Sequence, residues 1–316
     1  MATSEELLLL LERRLAALRK SRPELGDVLD FQESLLRESL TSARRAEAQP
    51  FPVPREHLAA RIRSGVPVLH DQPARVDVHF AADLFSRLVN LLQQRDDGEL
   101  RTGLDALIEA ATSGRLDAER LFGEAFVQHA DHLRDMALQH SLDADILATV
   151  AAQSVAPLLR AYAERLLPLV ERLDDGSLEG AVWQRGYCPV CGGWPGLAEL
   201  RGVELSLFLR CAACGSGWRS QRLGCPYCGN DDYRSLQTLT IHDEKRFRLS
   251  VCERCKSYLK VGNAFDPPPP ELVALDDVAS LHLDLVAIER GYHRPGGSGF
   301  SIELAVPEDE WAEELA

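Results

Sequence analysis

The chain has 316 residues, is 45% hydrophobic and carries a formal net charge of −14. That length accommodates one large domain or two to three ordinary ones, and that composition supports a buried core. An acidic excess of this size argues against general binding to nucleic acid or to acidic membranes.

Residues 1–183 contain no cysteine and read as a mostly helical domain. Thr3-x-x-Glu6 is a capping-box pattern. Leu7, Leu8, Leu11, Leu15 and Leu18 behind it mark one apolar helical face. The start is acidic where a secretory signal would be basic, which predicts a cytoplasmic protein. No run approaches the ~20 apolar residues that cross a bilayer, so no membrane insertion is expected. A second helix is predicted from about Asp27 to Ala46, with Leu29, Phe31, Leu35, Leu36 and Leu40 inside. Gln49–Pro54 is a proline-rich connector, and a short helix follows over Glu56–Arg63. Several helices fill Ala81–Leu173: Leu84, Leu88, Leu91 and Leu92 share a face, Asp96-Asp97-Gly98 breaks the run, and Leu104, Leu107 and Ile108 mark the next segment. Leu121–His140 reads as one helix or two. Pro157 and Pro168 predict breaks or kinks in Leu142–Leu173.

Near Gly186 the composition changes, and glycine, cysteine, arginine and tryptophan become denser. Short alternating stretches, Leu205–Leu209 and Leu236–Ile241, suit small strands. Pro267–Pro270 is a stiff link. A last helix is predicted from a cap at Asp276 or Asp277, with Val278, Leu281, Leu285 and Ile288 facing inward and Gly291 ending it. The tail beyond Pro295 is glycine-rich and then acidic, with disorder expected in its last residues. The fold class is therefore α plus small β. A helical domain (1–183) is followed by four-cysteine modules at 184–224 and 225–266, then by the proline link, C-terminal helix and tail at 267–316.

All eight cysteines fall into Cys-x-x-Cys pairs: Cys188/Cys191, Cys211/Cys214, Cys225/Cys228 and Cys252/Cys255. Two intervening residues let both sulfurs of a tight turn face one ion. Glycine follows three of the pairs, at Gly192, Gly215 and Gly229, and permits the positive φ such turns need. Lys256 follows the fourth, so a less regular turn is expected there. The spacing favours sequential grouping, with Cys188, Cys191, Cys211 and Cys214 as site 1 and Cys225, Cys228, Cys252 and Cys255 as site 2. A cross-braced grouping is the rival. Tetrahedral four-sulfur sites suit zinc or iron, and the spacing does not separate them.

Closed sites of this kind offer no open coordination position for hydrolysis. The histidines show no HExxH spacing, and there is no GxSxG, Walker A or dinucleotide fingerprint, so no enzyme activity is expected. His242 reads as a loop side chain, since four thiolates fill each site. Gly186–Phe265 carries 11 Lys/Arg against 7 Asp/Glu, a local +4, which eight thiolates and two divalent ions would cancel. Arg210, Arg219, Arg222 and Arg234, interleaved with Trp194, Trp218, Tyr227 and Tyr233, are types that anchor interfaces. Taken one at a time, the simpler expectation is solvated arginines and aromatics that cover small metal cores.

The runs Gly186-Tyr187-Cys188-Pro189-Val190-Cys191-Gly192, Cys211-x-x-Cys214 with Trp218, Cys225-Pro226-Tyr227-Cys228, and Cys252-x-x-Cys255 with Tyr258-Leu259-Lys260 resemble the FdhE-type formate dehydrogenase accessory protein family. Asp276-Asp277-Val278-Ala279-Ser280-Leu281-His282-Leu283-Asp284 and Gly291-Tyr292 match its C-terminal pattern. The resemblance spans about residues 1–293 and is specific only after Gly186. It implies a cytoplasmic factor for assembly or activation of respiratory formate dehydrogenase that binds the catalytic subunit. It also implies rubredoxin-like iron at both sites, with zinc as the alternative. The competing expectations are a rubredoxin-like electron-transfer or redox-sensing protein and a zinc-ribbon nucleic-acid binder. The total charge weighs against the latter.

Overall fold

The computed structural model describes residues 3–43, 46, 48, 53–94, 98–172, 182–242 and 244–305. Gln49–Pro52, Asp96, Asp97, Leu173 and the acidic tail after residue 305, all named above, lie outside the described residues.

Helices α1 (Ser4–Ser21) and α2 (Gly26–Ala43) form an antiparallel hairpin. Thr3 Oγ1 accepts from the Glu6 amide and the Glu6 carboxylate accepts from the Thr3 amide, so the capping box forms. Leu7, Leu11 and Leu15 interlock with Leu29, Leu36 and Leu40, and with Leu272 and Leu275 from the far end of the chain. Each fully buried leucine contributes about 1.5–3 kcal/mol. Helices α3 (Arg55–Ser64), α4 (Val78–Gln93), α5 (Glu99–Thr112), α6 (Ala118–Phe126) and α7 (Ala130–Gln139) follow. Helix α8 (Ala144–Glu171) is packed against α4, α6 and α7.

Two sequence expectations resolve here. Leu121–His140 is two helices, because Gln128 takes φ +63° and turns the chain between them. Pro157 and Pro168, by contrast, do not break α8, which is continuous over 28 residues. Each proline removes one helical hydrogen bond, but Leu147, Val150, Val155, Leu158, Leu159, Tyr162, Leu166 and Val170 are all buried along the same helix and hold it. Helix α8 is also long and apolar enough to cross a bilayer, the only such helix among the described residues. Most of it is buried inside the bundle, as a core helix requires.

Six strands form one sheet: β1 (Pro195–Arg201), β2 (Ser206–Cys211), β3 (Gly217–Arg219), β4 (Leu236–Leu239), β5 (Phe247–Cys252) and β6 (Tyr258–Ala264), in the order β3-β2-β1-β6-β5-β4. Each cysteine module contributes three strands. All pairings are antiparallel except β1 with β6, which run parallel with Ala198 opposite Val261 and Arg201 opposite Ala264. The sequence signalled only parts of β2 and β4. The others are short, and long-range pairing rather than local pattern defines them.

The predicted final helix is two helices, α9 (Val273–Ala279) and α10 (Leu281–Glu289). Ser280 separates them, its hydroxyl donating to the carbonyls of Asp276 and Asp277. The break rotates the expected face outward. Leu285 and Ile288 are 65% and 61% exposed, while Leu283 and Ala287 pack against Phe247, Leu249, Val251 and Tyr258 of the sheet.

Candidate metal centres

The four cysteine turns occupy equivalent places in the two modules. One precedes the first strand of each module, and one joins its second and third strands. In every turn the first cysteine amide donates five residues ahead: Cys188 to Gly193 O, Cys211 to Ser216 O, Cys225 to Asn230 O and Cys252 to Ser257 O. The residue after each second cysteine lies in the left-handed region: Gly192 at φ +76°, Gly215 at +74°, Gly229 at +68° and Lys256 at +55°. The fourth turn is therefore as regular as the others, contrary to the sequence expectation. Lys256 is held in this conformation partly by its ion pair with Glu253 and its ammonium over the Tyr292 ring.

The sulfurs of Cys188, Cys191, Cys211 and Cys214 lie together, as do those of Cys225, Cys228, Cys252 and Cys255. Within the first set the Sγ separations include 3.7 Å (Cys188–Cys214), 3.5 Å (Cys191–Cys211) and 3.6 Å (Cys191–Cys214). In the second they are 3.6 Å (Cys225–Cys255) and 3.8 Å (Cys228–Cys252). A disulfide needs about 2.0 Å. Four sulfurs at tetrahedral corners, each about 2.3 Å from one ion, sit about 3.8 Å apart. Both clusters fit a tetrahedral ion, and they fit iron and zinc alike.

The two clusters differ in their surroundings. All four cysteines of the first are buried. Three distant segments donate hydrogen bonds to its leading turn: Val68 and Leu69 to Pro189 O and Val190 O, the Gln128 amide to Cys191 O, and Gly299 to Gly192 O. A Cβ on Gly192 would meet Phe300 O at 2.4 Å. Cys188, Cys191, Cys211 and Cys214 accordingly belong to the same apolar core as α4, α6 and α8. In the second cluster Cys228 is exposed and Cys255 half-buried. The clusters are knit by a close approach at Gly186, where a Cβ would collide with Pro226 O at 1.9 Å, and by Tyr227, whose hydroxyl donates to Pro195 O.

Local electrostatics set the thiols within each cluster apart. Burial pushes Cys188 well above its usual range, while hydrogen bonds from the neighbouring thiols hold Cys214 well below it. Burial raises Cys225 and Cys228. Against its own desolvation, Cys252 is lowered to about 7 by the backbone amides of Cys255 and Arg254 and by the Asn230 side chain. A bound divalent ion would ionise the remaining thiols outright.

Of the arginines and aromatics noted in the sequence, Arg210 is buried, contacting Glu199 at 3.4 Å and Pro268 O at 3.0 Å. Trp218 is buried, and Tyr187, Trp194 and Tyr227 pack edge-to-face between the clusters. Arg219, Arg222, Tyr233 and Arg234 are exposed, as is His242 on the turn after β4. Sequence reasoning missed a charged lock between the sheet and α9–α10. Lys260 of β6, fully buried, reaches Asp277 Oδ1 at 2.6 Å and Asp284 Oδ2 at 2.7 Å. Arg294 pairs with the same two carboxylates at 2.9 and 2.7 Å, and Tyr258 donates to Asp284 at 2.8 Å. Lys260, Asp277 and Asp284 stand in the runs that carry the family resemblance, but nothing local marks them as one cluster, since the aspartates lie 22 and 29 residues beyond Cys255.

Comparison with known proteins bears on these same residues. Residues 223–300, spanning the second cluster and the charged lock, match the family described as FdhE, C-terminal domain. A protein FdhE homolog of Aquifex aeolicus is 22% identical over 284 residues, covering 88% of this chain and 90% of that one. The protein FdhE of Escherichia coli O127:H6 is 32% identical over 137 residues, 42% of this chain and 41% of that one. The crystal structure of the FdhE protein from Pseudomonas aeruginosa shares the fold, with a TM-score of 0.57 at 23% identity over 95% of this chain and 97% of that one. Residues 223–300 thus match the FdhE C-terminal domain, and the chain as a whole is similar to an FdhE homolog along most of its length and shares the FdhE fold.

Proposed function

We propose that this protein is a cytoplasmic accessory factor for the assembly or activation of formate dehydrogenase, that it docks on the catalytic subunit of that enzyme, and that its two four-cysteine clusters hold iron. The observation that carries the reading is the family match over residues 223–300, which covers the Cys225, Cys228, Cys252 and Cys255 cluster. Two closed tetrahedral sites suit structural or one-electron chemistry rather than hydrolysis, which supports a non-catalytic role. Iron rests on the resemblance of the paired cysteine runs to that family, because the sulfur geometry suits both metals. The division into a helical unit and metal modules at 184–224 and 225–266 is retained in this reading, with the modules joined edge to edge by β1 and β6.

Affinity capture of the tagged protein from cells respiring formate tests the docking. The catalytic subunit should be recovered, and a deletion strain should lose formate dehydrogenase activity. Intact activity in the deletion strain, with no subunit captured, would overturn the reading.

One observation favours a redox reading of the second cluster alone. The exposure of Cys228 gives an iron there a short route to an electron-transfer partner, which the first cluster lacks. Reduction by an external protein donor of one iron but not the other would support it.

A further inference from the structure

A third group of ligand-type side chains lies outside both cysteine clusters, formed by Glu124 in the last turn of α6, His129 at the start of α7 and His132 in its first turn. His129 Nδ1 and His132 Nδ1 approach the same oxygen, Glu124 Oε2, at 2.8 and 2.9 Å. The two rings pack edge-to-face with centroids 4.9 Å apart.

The arrangement is built by the backbone. The turn between the helices passes through Gln128 at φ +63°, and the His129 amide donates to Glu124 O at 3.0 Å. The Gln128 side chain is fixed in turn by its bond to Cys191 O. The turn that brings the two histidines over Glu124 is thus pinned to the first cysteine cluster, and its ligands need little reordering. Glu124 and His129 are only 22% and 25% exposed at their side chains, while His132 is 55% exposed and leaves the site open to solvent.

We propose that Glu124, His129 and His132 form a third metal site, for a borderline divalent transition ion such as zinc, nickel or cobalt. Two imidazole nitrogens select that class over magnesium and calcium, which prefer all-oxygen shells. One carboxylate oxygen and one ring nitrogen from each histidine, all within 4.8 Å of one another, converge as three ligands of a tetrahedral or five-coordinate ion would. Unlike the closed thiolate clusters, three protein ligands leave at least one position for water or for a side chain of a partner. An ion bound through Nδ1 requires the lone pair of that nitrogen, with the ring proton carried on Nε2.

The test is zinc titration of the full-length protein by calorimetry, after the metal held by the cysteines has been counted. One further equivalent should bind in the micromolar range. His132→Ala and the isosteric Glu124→Gln should each weaken it by about tenfold or more, judging by the losses that even supporting contacts cause at such sites. Both variants should keep the cysteine-bound metal, and His57→Ala on α3 should change nothing. Absence of the further equivalent, its survival in both variants, or its displacement by equal magnesium would overturn the proposal.

Discussion

Replacing Lys260 with methionine keeps most of the length of the side chain and removes its charge. In the native structure Lys260 Nζ has three oxygen partners, Asp277 Oδ1 at 2.6 Å, Asp284 Oδ2 at 2.7 Å and Asp277 O at 2.8 Å, and is fully buried. With Arg294 the cluster is neutral; without Lys260 it carries one uncompensated negative charge. Removing one partner of a buried pair costs roughly 3–5 kcal/mol. Asp277 is 38% exposed at its side chain and Arg294 stays in place, so the lower end, about 3 kcal/mol, is expected. Chemical denaturation of metal-replete protein, followed by near-ultraviolet dichroism, should show the transition moved to lower denaturant. Lys260→Met with Asp284→Leu restores neutrality around Arg294 and Asp277, and should recover part of the loss. A single variant as stable as the parent, or a double variant no better than the single, would refute the reasoning.

Chelator should strip the second cluster before the first, because Cys228 is exposed while the first four cysteines are buried; equal rates by native mass spectrometry would contradict this. Gly192→Ala should destabilise the protein by more than about 1 kcal/mol, since it strains a φ of +76° and drives a Cβ into Phe300 O. An unchanged thermal midpoint would show that the turn adapts. Acid should weaken the charged lock in a defined direction. Burial pushes the Asp277 carboxyl up, but Lys260 and Arg294 outweigh it and hold the group below its ordinary 3.8. Its contribution is therefore fully present above the unfolded pKa and is lost as pH falls through the folded one. Asp277→Asn should show a smaller loss of stability below about pH 4 than the parent, and an identical acid profile would remove Asp277 from the account.

The cysteine turns were legible because their chemistry is local: two sulfurs, a two-residue gap and a residue able to take positive φ. The α1 capping box and leucine stripe were legible for the same reason. The parallel β1–β6 pairing was not, because it joins segments some 60 residues apart and leaves no mark on either. Leu281, Leu285 and Ile288 have the spacing of a core face, yet the sheet takes the opposite side of α10, anchored by Asp284 on Lys260. A buried lysine and its aspartates look like surface residues in a sequence, and only the fold shows that they neutralise one another.

The central proposal, two closed four-thiolate iron sites in this protein, is most directly tested by iron-edge X-ray absorption with metal content on freshly purified protein. The account predicts two tightly held irons, each with four sulfur neighbours at about 2.3 Å, and a visible absorption that reductant bleaches. Zinc in their place, or nitrogen and oxygen ligands at iron, would contradict it.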